Sequence, residues 1–464
     1  MMDTHTAARM VDGRRLGANA MFRRVTTDTR ALQTGDLFVA LAGERFDGHD
    51  YVAEALMNGA SAAMVDEAHA GKLDGNLVAV ADTRAALRAL AAQWRMRFDI
   101  PLIVVTGSNG KTTVKEMTAA ILRAQFGARL GESAVLATRG NLNNDIGLPL
   151  TLLELRATHR AAVIELGMNH RGETRTLAAL AQPTIALVNN AQREHQEFMK
   201  GVAEVADEHA DAVLALREGG IAVINADDPY CRVWRDAAER RHATVVGFAL
   251  DAAAEVRGQA SLGVDGSDLD ILAAGGHIRA RIAAPGAAMA RNALAATAAA
   301  MAAGAGAAAV THGLGAFRPV KGRLATRHSS AGATIIDDTY NANPDSVREA
   351  IDVLARARGT RWLVLGDMGE VGAQGPRFHR EIGEYARAAG IDRLLAVGRQ
   401  AHETVLAFGV HGAHYADVDA LVAALSPLPD AATTVLVKGS RFMRMERVVD
   451  ALCAGGADAA AGGH

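Results

Sequence analysis

The chain has 464 residues, of which half are apolar and 4% aromatic, and its formal net charge is -3 at pH 7. At roughly 150 residues per domain, this length predicts about three domains. The 49 Lys and Arg residues are balanced by 52 Asp and Glu residues. This balance argues against a general binder of nucleic acid or anionic membranes, because such proteins carry a basic excess.

Cysteine usage and apolar runs indicate a cytoplasmic protein. Two cysteines, Cys231 and Cys453, are too few for a disulfide framework or a cysteine metal site. The N-terminal segment lacks the apolar stretch of a signal peptide. The uncharged run 293–310 is rich in Ala and Gly and too weakly apolar to span a membrane. We interpret it as a packed helix followed by a glycine-rich loop.

Residues 1–98 are predicted to form a small α/β domain, since short apolar runs between 37 and 82 alternate with helical stretches. Thr83 is the expected cap of the helix that leads into a second domain, over 99–320. There, continuous apolar strands separated by helices predict a parallel sheet covered on both faces, and 249–282 resembles a meander.

The strand and helix rhythm restarts after Arg323, which predicts a doubly wound, Rossmann-like third domain over 321–464. The fold class is therefore α/β with three domains, the central one built on a parallel sheet with a phosphate-binding loop. Polar motifs follow strand ends, where open parallel sheets place their ligand sites. We expect the tail, 456–464, to be disordered.

The strongest local signal is GSNGKTT, between a predicted buried strand and a helix start. It comprises Gly107, Ser108, Asn109, Gly110, Lys111, Thr112 and Thr113. Glycines let the backbone wrap a polyphosphate, while Lys111 offers it a positive charge. The Thr112 hydroxyl is the natural magnesium ligand. The alternative is a glycine-rich turn that binds nothing.

Two residues that follow neighbouring strands are candidates for the same metal. Glu165 ends a strand, and His195 follows the next one. A carboxylate at a strand end commonly completes such a magnesium site. Taken singly, the acid could be an ordinary strand end and the histidine merely solvated.

Amide side chains are dense at 138–144, where Asn141 and Asn144 are candidates to bind substrate, although turn chemistry also favours Asn and Gly. In the third domain, the segment DDTYNANP offers Asp338 for ribose hydroxyls, Tyr340 for stacking on a base and Asn341 as a further substrate contact. Its Asn343 is an expected helix cap. Lys438 and Arg441 are predicted to clamp a carboxylate or phosphate, unless they form a solvated turn.

Taken together, these strings resemble the Mur ligases, the ATP-dependent amide-forming enzymes of peptidoglycan precursor synthesis, from about Thr26 to Arg447. TDTRALQTGDLFVALAGERFDGHDY resembles the uridine-nucleotide domain of members that join D-alanyl-D-alanine to a UDP-N-acetylmuramoyl-tripeptide. LGDMGEVG at 365–372 and VKGSRFMRME at 437–446 resemble their C-terminal domain.

The resemblance implies an ATP-dependent ligase that works through an acyl phosphate, with ATP and Mg²⁺ as cofactors. The implied partners are UDP-N-acetylmuramoyl-tripeptide and D-alanyl-D-alanine, with no nucleic acid and no integral membrane segment, and we expect a monomer. The residues it implies for catalysis are Lys111, Glu165 and His195, with Thr112, Glu165 and His195 on magnesium. Beyond the GSNGKTT loop, it implies Asn292, Arg323 and Asp338 for ATP. For the substrates it implies Thr29, Arg30, Asp47 and His49 near UDP, and Lys438 and Arg441 near carboxylates.

The chain departs from the family pattern at two places. Many members carry a carbamylated lysine in the helix after the histidine, whereas 201–216 has no lysine and Ala206 stands there instead. Glu204, Asp207 and Glu208 are candidate replacements. The family histidine before Asn292 is also missing from the segment 286–289. Another amide ligase of the family, a folate polyglutamate synthase and a regulatory P-loop ATPase are the alternative functions.

Overall fold

The computed structural model describes residues 1–454, apart from the side chains of 128–130 and 132. The tail for which we predict disorder, 456–464, lies outside this range. Three β-sheets, each with its own helices, follow one another along the chain. We call these parts the N-terminal, central and C-terminal units. Within residues 1–454, no helix is long and apolar enough to cross a membrane.

The N-terminal unit contains a sheet in the order β2-β7-β6-β5-β4, parallel from β4 to β7, with β2 antiparallel. Its elements are β1 Met2–Asp3, α1 Thr4–Met10, β2 Arg14–Leu16, β3 Met21–Phe22, β4 Arg24–Thr26, β5 Asp36–Val39, α2 Val52–Met57, β6 Ala62–Asp66, α3 Glu67–Ala70, β7 Leu77–Val80 and α4 Thr83–Arg95. The short strands β1 and β3 pair separately.

The central unit has a nine-stranded sheet in the order β16-β15-β14-β13-β12-β11-β8-β10-β9. Its elements are β8 Leu102–Thr106, α5 Lys111–Leu130, β9 Val135–Ala137, α6 Gly147–Leu153, β10 Ala161–Glu165, α7 Glu173–Ala181, β11 Ile185–Val188, α8 Val202–Leu214, β12 Ile221–Asn225, α9 Cys231–Arg240, β13 Thr244–Ala249, β14 Val256–Leu262, β15 Ser267–Ala273, β16 Gly276–Ile282, α10 Ala287–Ala302 and α11 Ala307–Ala316. Strands β8 to β14 are parallel, and β14 to β16 form the predicted antiparallel meander.

The C-terminal unit has a six-stranded sheet in the order β17-β18-β22-β19-β20-β21, parallel except for β17. Its elements are β17 Ala325–His328, β18 Thr334–Asp338, α12 Pro344–Ala355, β19 Thr360–Gly366, α13 Gly375–Ala388, β20 Arg393–Val397, α14 Ala401–Phe408, β21 Gly412–Tyr415, α15 Val418–Ala423, β22 Thr433–Lys438 and α16 Glu446–Cys453. Short 3-10 turns lie at Thr29–Ala31, Gly48–Tyr51, Glu132–Ala134, Gly372–Gln374 and Arg441–Met443. The three-domain α/β fold expected from the sequence is confirmed.

Helix α4 fixes the N-terminal unit to the central unit. The Trp94 indole donates to the Leu155 carbonyl at 3.1 Å. The guanidinium of the fully buried Arg95 donates to the carbonyls of Ala181 at 3.1 Å and Phe98 at 2.5 Å. Burial lowers the pKa of Arg95 to about 10, because the carbonyls solvate the cation without neutralising it.

One local prediction was wrong. Asp82, not Thr83, caps α4, since the Asp82 carboxylate accepts from two backbone N–H groups of the first turn. A carboxylate accepts such bonds well and also favours the positive end of the helix dipole. In the run 293–310, helix α10 ends at Ala302 and the predicted glycine-rich loop follows over 303–306, before α11 starts at Ala307. Glycine allows α11 to pack closely on α5: a Cβ at Gly313 would lie 2.4 Å from the Ile121 Cα.

Candidate active site

The GSNGKTT loop connects β8 to α5, as the sequence predicts. Gly107 and Gly110 have φ values of 134° and 81°, which side chains rarely adopt. A Cβ at Gly110 would also lie 2.5 Å from Asn292 Oδ1. The Asn109 backbone N–H donates to Asn190 Oδ1 at 2.8 Å. The loop is therefore held in one shape, with the N-terminus of α5 facing a cavity.

Lys111 folds back over this loop. Its Nζ donates to the carbonyls of Gly107 at 2.5 Å and Ser108 at 3.1 Å. The same nitrogen lies 3.6 Å from Glu194 Oε2. The side chain is 16% exposed, so the ammonium is at the cavity wall and can reach an anion only by leaving these partners.

Thr112 and Glu165 meet beside the loop. The Thr112 hydroxyl donates to Glu165 Oε2 at 2.9 Å, and Asn143 Nδ2 donates to Oε1 at 2.8 Å. Glu165 ends β10 and is 3% exposed. A hydroxyl and a carboxylate in contact are the oxygen donors that Mg²⁺ prefers, so this pair fits the cation that the sequence predicts.

His195 lies on the same side of the cavity in a left-handed conformation, with φ 48°. Its Nδ1 lies 2.6 Å from Glu370 Oε2, which belongs to the C-terminal unit, and its Nε2 lies 3.6 Å from Glu194 Oε2. The interaction with His195 lowers the pKa of Glu370. Glu370 is itself left-handed, with φ 57°. Backbone strain of this kind concentrates at functional sites. The two strained residues contact each other across the cleft, and both line the main cavity.

Glu194 is a site residue that the sequence reading missed. Burial raises its pKa, but the Lys111 ammonium, together with the neighbouring His209 and His195, outweighs that effect and holds the pKa at about 2. His209 Nε2 lies 3.4 Å from Glu194 Oε1. An acid directly before the histidine is the signal that was available. Its pairing with His209 depends on how α8 packs, which the sequence does not give.

The amide-rich segment divides between two roles. Asn144 Oδ1 accepts from the backbone N–H of Gly147 at 2.8 Å, as turn chemistry predicts, and Asn144 also lines the main cavity. Asn143 binds Glu165 instead. Asn141 lies in a second cavity of about 520 Å³ between the central and C-terminal units, together with Arg441.

Asn292 on α10 is 6% exposed, and its Oδ1 accepts from Asn189 Nδ2 at 2.9 Å. It lines the main cavity close to the phosphate-binding loop. The segment 286–289 lacks the family histidine, and two of its residues, Ala288 and Met289, line that cavity.

Asp338 and Lys438 contact each other in the C-terminal unit. Lys438 Nζ lies 2.5 Å from Asp338 Oδ2 and donates to the Asn341 carbonyl at 3.0 Å. Lys438 is 3% exposed. The Arg323 guanidinium stacks 4.0 Å over the Tyr340 ring. Both the predicted ribose acid and the predicted carboxylate clamp are therefore already paired, and Arg323 covers the ring predicted to stack on a base.

The predicted UDP contacts lie in the N-terminal unit and line neither of these two cavities. Arg30 pairs with Asp28 at 2.7 Å, next to Thr29. Asp47 lies 2.6 Å from His49 Nδ1. His49 Nε2 accepts from the Asp66 backbone N–H at 3.1 Å.

His69 joins Asp47 and His49 in a group whose ligand atoms lie within 4.8 Å of one another. Both ring nitrogens of His49 are already hydrogen-bonded, to Asp47 and to the Asp66 N–H. These bonds disfavour metal binding at the group.

The main cavity, of about 870 Å³, lies between the central and C-terminal units. Its walls include these predicted residues: Ser108, Asn109, Gly110, Lys111, Thr112, Thr113, Asn144, Glu165, His195, Asn292, Arg323, Asp338, Asn341 and Lys438. Contacts across the cleft hold the units together. Asn343, the cap of α12, donates to Asn109 Oδ1 at 3.0 Å, and Arg193 pairs with Asp345 at 2.6 Å and Glu381 at 2.8 Å.

The candidate replacements for the family lysine have other partners or face solvent. Ala206 is buried, and its carbonyl accepts from the Trp234 indole at 2.9 Å. Glu208 accepts from the backbone of Gly172 and Thr174 at the start of α7. Glu204 pairs with Arg171 at 2.7 Å. Asp207 is exposed.

Three family models match the chain: the Mur ligase family catalytic domain over 22–95, the Mur ligase middle domain over 105–300 and the Mur ligase glutamate ligase domain over 322–441. The chain is 42% identical to the UDP-N-acetylmuramoyl-tripeptide--D-alanyl-D-alanine ligase of Escherichia coli, with 96% of each chain covered.

Solved structures show the same similarity. MurF from Acinetobacter baumannii has a TM-score of 0.89 at 31% identity, covering 97% of this chain and 98% of that one. MurF ligase from Thermotoga maritima in complex with ADP has a TM-score of 0.82 at 26% identity, covering 93% and 97%. The chain belongs to the Mur ligase family.

Proposed function

We propose that this chain is an ATP-dependent ligase that joins D-alanyl-D-alanine to UDP-N-acetylmuramoyl-tripeptide, giving the pentapeptide precursor of peptidoglycan. The observation that carries the proposal is the cavity in which Lys111, Thr112 and Glu165 of the central unit face Asp338 and further residues of the C-terminal unit. The similarity to ligases of this name over nearly the whole chain supports the choice of substrates. A monomer in the cytoplasm is part of the proposal.

A carboxylate does not react with an amine at neutral pH, because its leaving group would be oxide. In the proposed reaction a carboxylate oxygen of the tripeptide attacks the γ-phosphorus of ATP, and ADP leaves. The dipeptide amine then attacks the carbonyl carbon of the acyl phosphate, loses a proton and expels orthophosphate. Positioning and charge stabilisation supply most of the catalysis in such transfers.

The residues of the cavity have separate tasks in this scheme. Lys111 neutralises the γ-phosphate, for which it leaves the loop carbonyls. Thr112 and Glu165 would hold magnesium, with His195 at its periphery, and a magnesium ion bound there would neutralise charge on the phosphates. Asn292 is proposed to contact the adenine and Asp338 the ribose.

Side chains from the N-terminal unit and from the other two units are proposed to contact the substrates. Thr29, Arg30, Asp47 and His49 are proposed to contact the UDP portion from the N-terminal unit. In the other two units, Asn141, Asn144, Asn341, Lys438 and Arg441 are proposed to contact the peptides. Enclosure between the central and C-terminal units excludes the water that would hydrolyse an acyl phosphate.

The test is incubation of the purified chain with ATP, magnesium, D-alanyl-D-alanine and either the diaminopimelate or the lysine form of the UDP-tripeptide. We expect orthophosphate release that depends on both peptides, and a product with the mass of the UDP-pentapeptide. Orthophosphate release with a single amino acid in place of the dipeptide would indicate another amide ligase. Release that depends on a macromolecule would indicate a regulatory ATPase.

A further inference from the structure

Arg88 brings a positive charge of the N-terminal unit to the wall of the main cavity. It lies on α4, and of residues 1–98 it is the only one that lines this cavity. Its Nη2 donates to Asp145 Oδ2 at 2.6 Å, and Asp145 lines the same cavity. The predicted UDP contacts of the N-terminal unit line neither cavity, so Arg88 is the residue through which this unit reaches the proposed reaction site.

Arg84 and Arg88 share a single carboxylate. They are four residues apart, so their side chains lie on the same face of α4. Arg84 Nη1 lies 3.4 Å from the same Asp145 oxygen that Arg88 contacts. In the part of the chain that the structure describes, Asp145 is the only acid that pairs with either guanidinium. Two positive charges therefore meet one negative charge, which favours a further anion at this wall.

The Arg88 guanidinium has a donor to spare. Its Nε is buried and makes no hydrogen bond to any group that the structure describes. A guanidinium offers five N–H donors in a planar fork that matches a carboxylate or a phosphate. Leaving such a buried donor unpaired is unfavourable, and an anion that met the fork would satisfy it.

Arg88 can leave Asp145 more easily than Lys111 can leave Glu194. The Asp145 side chain is 35% exposed, so water can solvate the carboxylate that Arg88 releases, and Arg84 stays close to it. Partly exposed ion pairs of this kind contribute little to stability. A ligand that presents a well-placed anion can therefore take Arg88 from its present partner.

The segment around Asp145 connects this wall to the proposed magnesium site. Asp145 is two residues from Asn143, whose Nδ2 donates to Glu165 Oε1 at 2.8 Å. The proposed substrate joins a uridine nucleotide, expected in the N-terminal unit, to a carboxylate that must reach Glu165. Arg88 belongs to the first of these places and lines the cavity of the second.

We propose that Arg88 binds an anionic group of the UDP-tripeptide, either its diphosphate or a peptide carboxylate, and leaves Asp145 to do so. Asp145 holds the guanidinium until the substrate takes it. The inference rests on the proposed function, which supplies this substrate.

The experiment is titration calorimetry of the UDP-tripeptide against the full chain, saturated with magnesium and the non-hydrolysable analogue β,γ-methylene-ATP. Arg88→Met should bind the UDP-tripeptide roughly 10-fold more weakly or worse, because a hydrogen bond to a charged group is lost. Asp145→Asn removes the competing carboxylate, so it should bind at least as tightly as wild type and up to about 5-fold more tightly. Arg14→Met is the matched control, since Arg14 forms an exposed pair with Glu67 in the same unit. It should bind like wild type.

The opposite signs separate substrate binding from a structural role. If the ion pair only held the units together, Arg88→Met and Asp145→Asn would weaken binding alike, and that result would overturn the inference. Asp145→Asn keeps the test decisive if thermal unfolding shows that Arg88→Met does not fold. Unchanged affinity in folded Arg88→Met, or a loss confined to β,γ-methylene-ATP, measured separately, would also overturn it.

A second ligand distinguishes the two sources of the anion. UDP-N-acetylglucosamine has the diphosphate but no carboxylate. If Arg88→Met weakens its binding as well, the contact is to the diphosphate, whereas a loss for the UDP-tripeptide alone assigns it to a peptide carboxylate. Either result supports the inference. Failure of the wild type to bind the UDP-tripeptide would instead overturn the proposed function.

Discussion

Arg193 is expected to control how firmly the C-terminal unit closes on the central unit. Its guanidinium makes hydrogen bonds to both Asp345 and Glu381 and lies 5.3 Å from the Phe378 ring centroid. Burial alone lowers the pKa of Arg193, but the two carboxylates raise it overall. All three partners belong to the C-terminal unit. Removing the guanidinium therefore weakens the contact between units more than the folding of either.

The magnitude follows from the exposure of the pair. The Arg193 side chain is 20% exposed, and those of Asp345 and Glu381 are 24% and 31% exposed. The interaction is therefore intermediate between an exposed and a fully buried ion pair. We take about 1–3 kcal/mol for the network, above an exposed pair and below a fully desolvated one. This corresponds to roughly a 5- to 150-fold shift in the ratio of closed to open molecules.

Amide hydrogen exchange is the appropriate assay, because the Glu197 N–H donates to the Glu370 carbonyl across the cleft at 3.1 Å. In Arg193→Ala, exchange of the peptide that contains Glu197 should accelerate by this factor, and turnover should fall. Arg348→Ala is the control: Arg348 also contacts Glu381, at 3.1 Å, but from within the C-terminal unit. Equal exchange in wild type and Arg193→Ala, or equal acceleration in both variants, would refute the reasoning.

Four further changes test the loop, the core and the cleft. Lys111→Ala should abolish orthophosphate release with all substrates present while circular dichroism stays unchanged, and near-normal turnover would contradict its role. Gly110→Ala places a methyl group 2.5 Å from Asn292 Oδ1 at a φ of 81°. Calorimetry should show nucleotide binding weakened roughly 5- to 30-fold, because that backbone conformation alone costs about 1–2 kcal/mol. Arg95→Ala leaves buried carbonyls without donors and should lower the free energy of unfolding by about 2–4 kcal/mol, measured in urea. Burial raises the pKa of Glu349, so the folded chain holds the carboxyl proton more tightly than the unfolded chain. The free energy of unfolding therefore falls as the pH rises above 4.5, the ordinary pKa of a glutamate. Glu349→Gln should show a flatter dependence of melting temperature on pH.

Much of the architecture was predictable because it depends on local pattern. Continuous apolar runs between helices indicate parallel strands, and GSNGKTT is recognisable where a buried strand meets a helix. Glu165 was also within reach, since its position at a strand end follows from the run before it. Such features need only the sequence near each residue.

Contacts between distant segments were out of reach. Asp338 and Lys438 are 100 residues apart, and they meet because β18 and β22 are neighbours in register. The sequence shows two strands with polar ends but not their order in the sheet. Arg193 likewise reads as a loop cation, and its role in joining the units depends on how they dock.

An anionic ligand that binds in this cleft must displace carboxylates of the protein from the cations that they now contact. Lys111 is held by Glu194, Lys438 by Asp338 and Arg193 by Asp345. A phosphate or carboxylate that takes one of these cations leaves a carboxylate behind, and that carboxylate needs new positive charge because burial makes an unpaired anion costly. A divalent cation can supply it near the phosphate-binding loop, whereas the freed oxygen of Asp338 can accept hydrogen bonds from ribose hydroxyls. Anionic ligands that arrive without a cation should accordingly bind this cavity weakly.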